Sequence, residues 1–382
     1  MTAIDVLERG RPAPASFDLS IDVYDGDSLA AADWPSITGP PNFRMYAFQS
    51  REFLDVWMNT IGRARRAECY LVVVKDGGGR RVLFLPLAIE SQFNVRLLRF
   101  MDAGVADYNA PILGSDKGLT RQQFDRLWPR ILAALPKFDA IDLQKIPSDV
   151  LGQFNPLVHL DCVPYASSGH SVALGTLPGG VNVRPSVKAQ RKNLRRRYRG
   201  LRAVGPTEFI VNPTADGKEP VLDRLLELKR QKYLRTIGRD FLATPGVTGF
   251  YRQITEPSGL ERVSHLSALT CNGTVVSAHL GFTGRGRFHY ILPAYDTEYR
   301  RFEVGHLLLQ HLIDQSYDDG LTTFDLGVGD FFYKSRWATH RLALYSYERH
   351  INAAGWLYLQ MRRAQHFAGT TGVRKWLNVR SG

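Results

Sequence analysis

Residues with the means to do chemistry crowd between Pro293 and Trp337, in PAYDTEYRRFEVGHLLLQHLIDQSYDDGLTTFDLGVGDFFYKSRW. Gly305 falls where a turn runs into a helical pattern. There the free N–H groups of Val304, Gly305, His306 and Leu307, with Arg301 just before them, would attract a phosphate or a developing oxyanion. A second turn, DLGVGDFFYKSRW, brings Gly327, Gly329, Asp330, Tyr333 and Lys334 together. An ammonium such as Lys334 stabilises a tetrahedral oxyanion, and a carboxylate such as Asp330 holds an amine or takes its proton. His306, at the helix entrance, is a further proton-handling candidate. The same residues fit plainer roles: Gly305 as a tight-turn glycine, Asp325 and Asp330 as turn acceptors, Lys334 in a local ion pair. The pattern points to transfer chemistry on a phosphate-bearing donor.

A second charged feature precedes it. RPSVKAQRKNLRRRYRG, the core of a basic helix expected over 184–202, belongs to a stretch with nine Lys or Arg and no acid. Val187, Leu194, Tyr198 and Leu201 form a narrow apolar stripe, so one face docks and the other is cationic. That face suits phosphates of a cofactor, nucleotide sugar, tRNA or lipid. Arg191 and Arg195, with Tyr295, Asp296 and Asp325, are candidate acceptor contacts. His265 and His279, on strand-like positions, read as core residues.

The elements that position these groups follow a repeated order. In the first half, a helical pattern (50–63) leads to strands 69–74 and 81–89 joined by DGGGR, then a strand near 95–100, a helix over 120–135 and the strand FDAIDL (138–143). In the second half, helices (220–235, 247–256) lead to strands 263–270 and 275–282 joined at Asn272-Gly273, then 287–295, a helix over 304–317 ended by Gly320, and TTFDLG (322–327). The matching Phe-Asp motifs suggest duplication, with domains over 17–165 and 166–348. The basic tail, 349–382, alternates Trp356, Leu357, Leu359, Met361 and Phe367 with cations; docking on the body is expected, and an anionic membrane surface is the other reading.

Composition sets the outer limits. A chain of 382 residues, 44% of them hydrophobic, is long enough for two cores at roughly 150 residues each. The net charge of +12 resides in two segments: setting aside the nine cations of 184–202 and six of the tail leaves 34 basic against 37 acidic residues. Cys69, Cys162 and Cys271 lie far apart and odd in number, as reduced thiols do, and no metal-ligand spacing occurs. Residues 1–16 lack a signal-peptide pattern and no apolar run is long enough to span a membrane, so a cytoplasmic protein, at most peripheral to the inner membrane face, is expected.

The second half, through RKNLRRRYRGL, YILPAYDTEYRRFEVGHLLLQHLI and FDLGVGDFFYKSRWA, resembles the acetyltransferase domain of the CelD/BcsL cellulose-biosynthesis group in the GNAT superfamily. DYNAPIL (107–113) extends the likeness into the first half. That group is similar in turn to the FemAB peptidyltransferases, which have two GNAT-like domains. The resemblance implies an α+β fold of two tandem GNAT-like domains, with mixed, mostly antiparallel sheets flanked by helices. It further implies an acetyl-CoA or other acyl-CoA donor, an anionic, sugar or amine acceptor, and an aromatic-Lys pair, here Tyr333 and Lys334, in which the lysine stabilises the oxyanion. One departure stands out. The acetyl-CoA loop of the superfamily reads Gln/Arg-x-x-Gly-x-Gly/Ala, and aligned on Gly305 this chain keeps only the central glycine, with Phe302 and Leu307 at the outer positions. An aminoacyl-tRNA donor, or a non-catalytic scaffold in polysaccharide synthesis, are the alternatives.

Overall fold

The computed structural model describes residues 19–114, 118–177, 181–183, 188–256 and 263–364. The readings made for residues 1–16, for 184–187 and for the tail beyond 364 lie outside these, as does the side chain of Arg191.

The first half opens with strand Ser20–Asp25 (β1), and residues 51–65 then form a helical run with a π turn at Met58–Gly62. Strands Glu68–Lys75 (β2) and Arg81–Gln92 (β3) form the expected hairpin. The Asp76 carboxylate closes its turn by accepting the N–H groups of Gly78 and Arg80. Strand Val95–Arg99 (β4), helix Arg121–Ala134 (α1) and strand Ala140–Pro147 (β5) follow. A capping box between Thr120 and Gln123 starts α1. Its face of Phe124, Leu127, Trp128 and Ile131 is buried. Two strands, Val163–Pro164 (β6) and Gly169–Ala173 (β7), lead out.

The second half repeats the order. Helix Lys188–Arg202 (α2), strand Thr207–Val211 (β8) and helix Ala215–Ile237 (α3) precede the hairpin of Ser264–Cys271 (β9) and Thr274–Gly284 (β10). Its tip, Asn272 and Gly273, takes positive φ at both positions, the geometry that matches strand twist. Strand Arg287–Tyr295 (β11), helix Val304–Asp318 (α4) and strand Thr323–Val328 (β12) come next. Helix Phe332–Trp337 (α5) and strands His340–Leu342 (β13) and Leu344–His350 (β14) complete it.

Each half forms one large sheet, in the orders β1-β2-β3-β4-β5-β14-β6 and β8-β9-β10-β11-β12-β7-β13. Within each order neighbours are antiparallel except at one place, β4 with β5 and β11 with β12, where a helix makes the crossover. The architecture is therefore α+β, with two tandem halves of the same mixed, mostly antiparallel plan. What the sequence order does not reveal is an exchange of final strands. β7, which closes the first run, lies against β12 in the second sheet; β14, which closes the second run, lies against β5 in the first. A boundary drawn at residue 348 runs through β14. The halves also share one core, in which Phe53 meets Phe250 and Phe282, and Phe48 meets His289.

Residues 353–364 are helical and dock on the first sheet. Tyr358 and Leu359 pack with Val95, Leu97 and Ala140, while Arg362 pairs with Asp142 and Glu348. Among the described residues, no helix is long and apolar enough to cross a membrane.

Candidate active site

The site begins where β11 and β12 part. They pair only from Arg287–Thr323 to His289–Asp325. Just beyond, each strand carries a bulge: the β10–β11 register shifts after Leu280, and the β7–β12 register shifts between Ser171 and His170. Bulges increase local twist, so the two strand ends splay and leave a gap. The corresponding strand ends of the first half are bridged, because Asn109 bonds the carbonyls of both Lys145 and Gln144 while Lys145 pairs with Asp102 at 2.6 Å, and a concavity of about 170 Å³ lined by Arg99, Asn109, Asp142 and Gln144 lies beside that bridge. At the second gap the helix entrance at Val304, the turn at 327–330 and Lys334 converge.

Lys334 stands at that gap. Its side chain is 5% exposed and its Nζ donates to the Val328 carbonyl at 2.7 Å, on the end of β12. Burial depresses the ammonium below the ordinary lysine value, while the Asp107 and Asp325 carboxylates work the other way. Tyr333, next to it, points to the other side and approaches the His306 ring at 5.9 Å. Burial raises the Tyr333 phenol and lowers the His306 imidazole. Gly305 packs on Tyr295, where a Cβ would come within 3.1 Å of the ring. Tyr333, His306, Gly305 and Tyr295 thus gather on the α4 side of the gap, as the spacing suggests.

Other candidates take different places. Val304 and Leu307 are buried in the core, and the His306 and Leu307 N–H groups already bond the Glu303 carbonyl. The entrance therefore offers the N–H groups of Val304 and Gly305 rather than all four. The Glu303 carboxylate shares that entrance, held by Arg197 Nε at 3.2 Å, and Arg197 also donates to the Arg301 carbonyl. The Arg301 guanidinium lies over the Phe302 ring. Asp325 is buried and bound by Arg287, Tyr108 and the Gly327 N–H, so it anchors β12 and is not open to an acceptor. Asp296 accepts from Arg224 at 2.7 Å and from the Glu298 N–H, and so fixes the turn before α4. Asp330 pairs with His170 at 2.9 Å and lines a separate concavity of about 400 Å³ with Phe331, Thr339 and Arg341. Arg195 is exposed beside Leu194 and Tyr198, and lines a groove against His311 and Asp314 of α4. His265 and His279 are buried, His279 stacked on Tyr290 at 4.3 Å.

Three residues at the gap escape a reading of local pattern. Asp107 crosses from the first half to lie against Gly327, whose φ of +73° and missing Cβ make room for the carboxylate. Burial pushes Asp107 up to about 6, against the pull of Lys334 and Lys145. Tyr108 follows it to reach Asp325 at 2.8 Å. Lys229 of α3 donates to the Pro293 carbonyl at 3.3 Å, on the end of β11, and lies over the Tyr233 ring. Its signal was present in the spacing: Leu222, Leu225, Leu226 and Lys229 follow i, i+3, i+4, i+7, which puts a lysine on an apolar face. Among the described residues, no group of three His, Cys, Asp or Glu is placed to hold a metal ion.

Residues 188–335 match the family model of the GNAT acetyltransferase domain. No curated protein matches the sequence. Among solved structures, FemX is similar at 11% identity over 82% of this chain and 92% of that one, with a TM-score of 0.50. A tandem GNAT protein from the clavulanic acid biosynthesis pathway is 14% identical over 87% of this chain and 99% of its own, at a TM-score of 0.46. L-PGS from Bacillus licheniformis is 13% identical over 82% and 96%, at 0.45. Residues 188–335 thus match a GNAT acetyltransferase domain, and the first half repeats the same mixed-sheet plan of strands and helices.

Proposed function

We propose that the protein is an acyltransferase of GNAT type that moves an acyl group, acetyl in the first instance, from an acyl-CoA to an amine or hydroxyl. An acceptor of the cell-envelope or exopolysaccharide class fits the resemblance to the CelD/BcsL group, and a cytoplasmic location fits such a donor. The reading is carried by one observation, the buried Lys334 of α5 bonded to the end of β12 at the mouth of the splay, with the α4 entrance on one side. On this reading the donor's carbonyl carbon sits in the gap, Lys334 stabilises the oxyanion formed on attack, and the Val304 and Gly305 N–H groups face donor phosphates. Arg195 and its neighbours on α2 attract an anionic group.

One feature favours a second donor. The Glu303 carboxylate at the α4 entrance repels a pyrophosphate, so an aminoacyl ester of tRNA, held by the cationic face of α2, remains in competition with the thioester. A thermal-shift panel with acetyl-CoA, longer acyl-CoAs and charged tRNA separates the two, because a ligand bound to the folded state raises the midpoint. Binding of none of them supports the scaffold reading. With the donor in hand, Lys334→Ala is expected to lower turnover about 100-fold or more, the loss typical of a missing oxyanion donor, with the fold intact by circular dichroism. Unchanged turnover removes Lys334 from the chemistry.

A further inference from the structure

The two lysines at the gap differ in their company. Neither pairs directly with a carboxylate among the described residues; the Asp107 carboxylate lies in the field of both, and Asp325 and Asp330 add to it at Lys334 alone. Lys229 is 7% exposed, and among the described residues no carboxylate lies within ion-pair distance of it; its near contacts are the Pro293 carbonyl and the Tyr233 ring. A buried ammonium without a counter-ion is strongly disfavoured, and the usual outcome is loss of the proton. The two lysines hold carbonyls on opposite lips of the splay, Pro293 on β11 and Val328 on β12. Lys229 also approaches from a different side than the donor groups. α3 packs its Leu222, Leu225 and Leu226 into the core shared with the first half, whereas α4, with Val304 and Leu308, packs into the second cluster.

We propose that Lys229 is the general base of the transfer, its neutral amine taking the proton of the acceptor's nucleophile on the face of the gap opposite the donor. The assignment rests on the acyltransferase reading above. In the step, the acceptor's nitrogen or oxygen forms a bond to the acyl carbon as its proton passes to Lys229 Nζ. The carbonyl electron pair moves onto the oxygen beside Lys334 and returns as the bond to the donor's sulfur breaks. The thiolate leaves as the free thiol after protonation, and Lys229 returns its proton to solvent.

The surroundings keep the amine neutral near physiological pH. Burial, then the Lys232 ammonium on the same helix, lowers Lys229 to about 7; Asp107 opposes the shift and Lys334 adds to it. His279, behind it on β10, is held uncharged by its own burial, and Tyr233 is raised to about 12 and is neutral as well. The full chain labelled with ¹³C-lysine, its Lys229 resonance assigned by loss in Lys229→Arg, is expected to show this residue titrating near 7 by NMR; a midpoint at the ordinary lysine value overturns the proposal. In kinetics with whichever donor supports transfer, Lys229→Met and Lys229→Arg are expected to lose about 100-fold or more in kcat. They should also lose the acidic limb of the kcat/KM profile, while the donor's thermal shift stays as in the wild type. Variants that keep rate and limb refute the base and leave acyl transfer standing. A wild type that transfers from none of the donors refutes acyl transfer, and the base with it.

Discussion

Keeping a lysine in a protein interior is costly, and a residue retained at such cost leaves a mark on stability. Lys229, with its amine brought down to about 7, illustrates the sign of that mark. Below pH 7 both folded and unfolded chains carry the charge, and the folded one bears the whole burial cost. Above the ordinary lysine value, about 10.4, neither does. Lys229→Met is therefore expected to unfold at a higher denaturant concentration than the wild type at pH 6, by on the order of 4 kcal/mol, with the gap shrinking steadily towards pH 10. Equal stabilities across that range would mean that Lys229 is charged and compensated. A substitution that stabilises the fold and stops turnover identifies a position kept for chemistry rather than for packing. Asp325, another charge in the interior, is of the opposite kind: Arg287 at 2.9 Å, the Tyr108 hydroxyl and the Gly327 N–H together satisfy its oxygens.

At the level of elements, the helix of residues 353–364 decides how well the first sheet is closed. Tyr358 packs on β4 and β5, donates its hydroxyl to Gln92 at 2.9 Å and accepts from Arg99 at 2.7 Å. Truncating it removes an aromatic ring and leaves Arg99 one partner short. Tyr358→Ala is expected to cost about 2–4 kcal/mol in chemical denaturation, with the β-sheet content unchanged at low denaturant. A loss below about 0.5 kcal/mol would mean that the helix is loosely held. The basic helix α2 differs in what it buries, Leu194 and Leu201 under α4, so that its cations frame the α4 entrance instead of closing a sheet.

Across the whole molecule, the repeated order of strands and helices was legible because apolar runs and turns such as Asn272-Gly273 are local signals. So were the α4 entrance, Tyr333 and Lys334, which lie within one stretch of sequence. The places of Asp107, Tyr108 and Lys229 were not: the spacing set Lys229 on an apolar face and DYNAPIL stood out as a motif, but only the packing of one half on the other brings these residues to the gap. The exchange of β7 and β14 was hidden for a related reason, since a strand's pattern tells that it is covered but not by which sheet. The exchange carries a prediction of its own. A chain cut between 165 and 166 leaves β5 without β14 and exposes an unpaired edge. Neither fragment is expected to give a dispersed amide NMR spectrum alone, and mixing the two in equal amounts is expected to restore it; a well-dispersed spectrum from residues 1–165 alone would show the first half to be self-sufficient.

The same crossed strands limit how the molecule can move. Two domains tied by a single linker open and close like jaws, and select a substrate by closing on it. Here each half holds a strand of the other by a ladder of backbone hydrogen bonds, so drawing Asp107 away from Gly327, on which it packs, would require unzipping both sheets. On the acyltransferase reading, an acceptor is therefore selected by shape at a threshold of fixed width rather than by a closing motion.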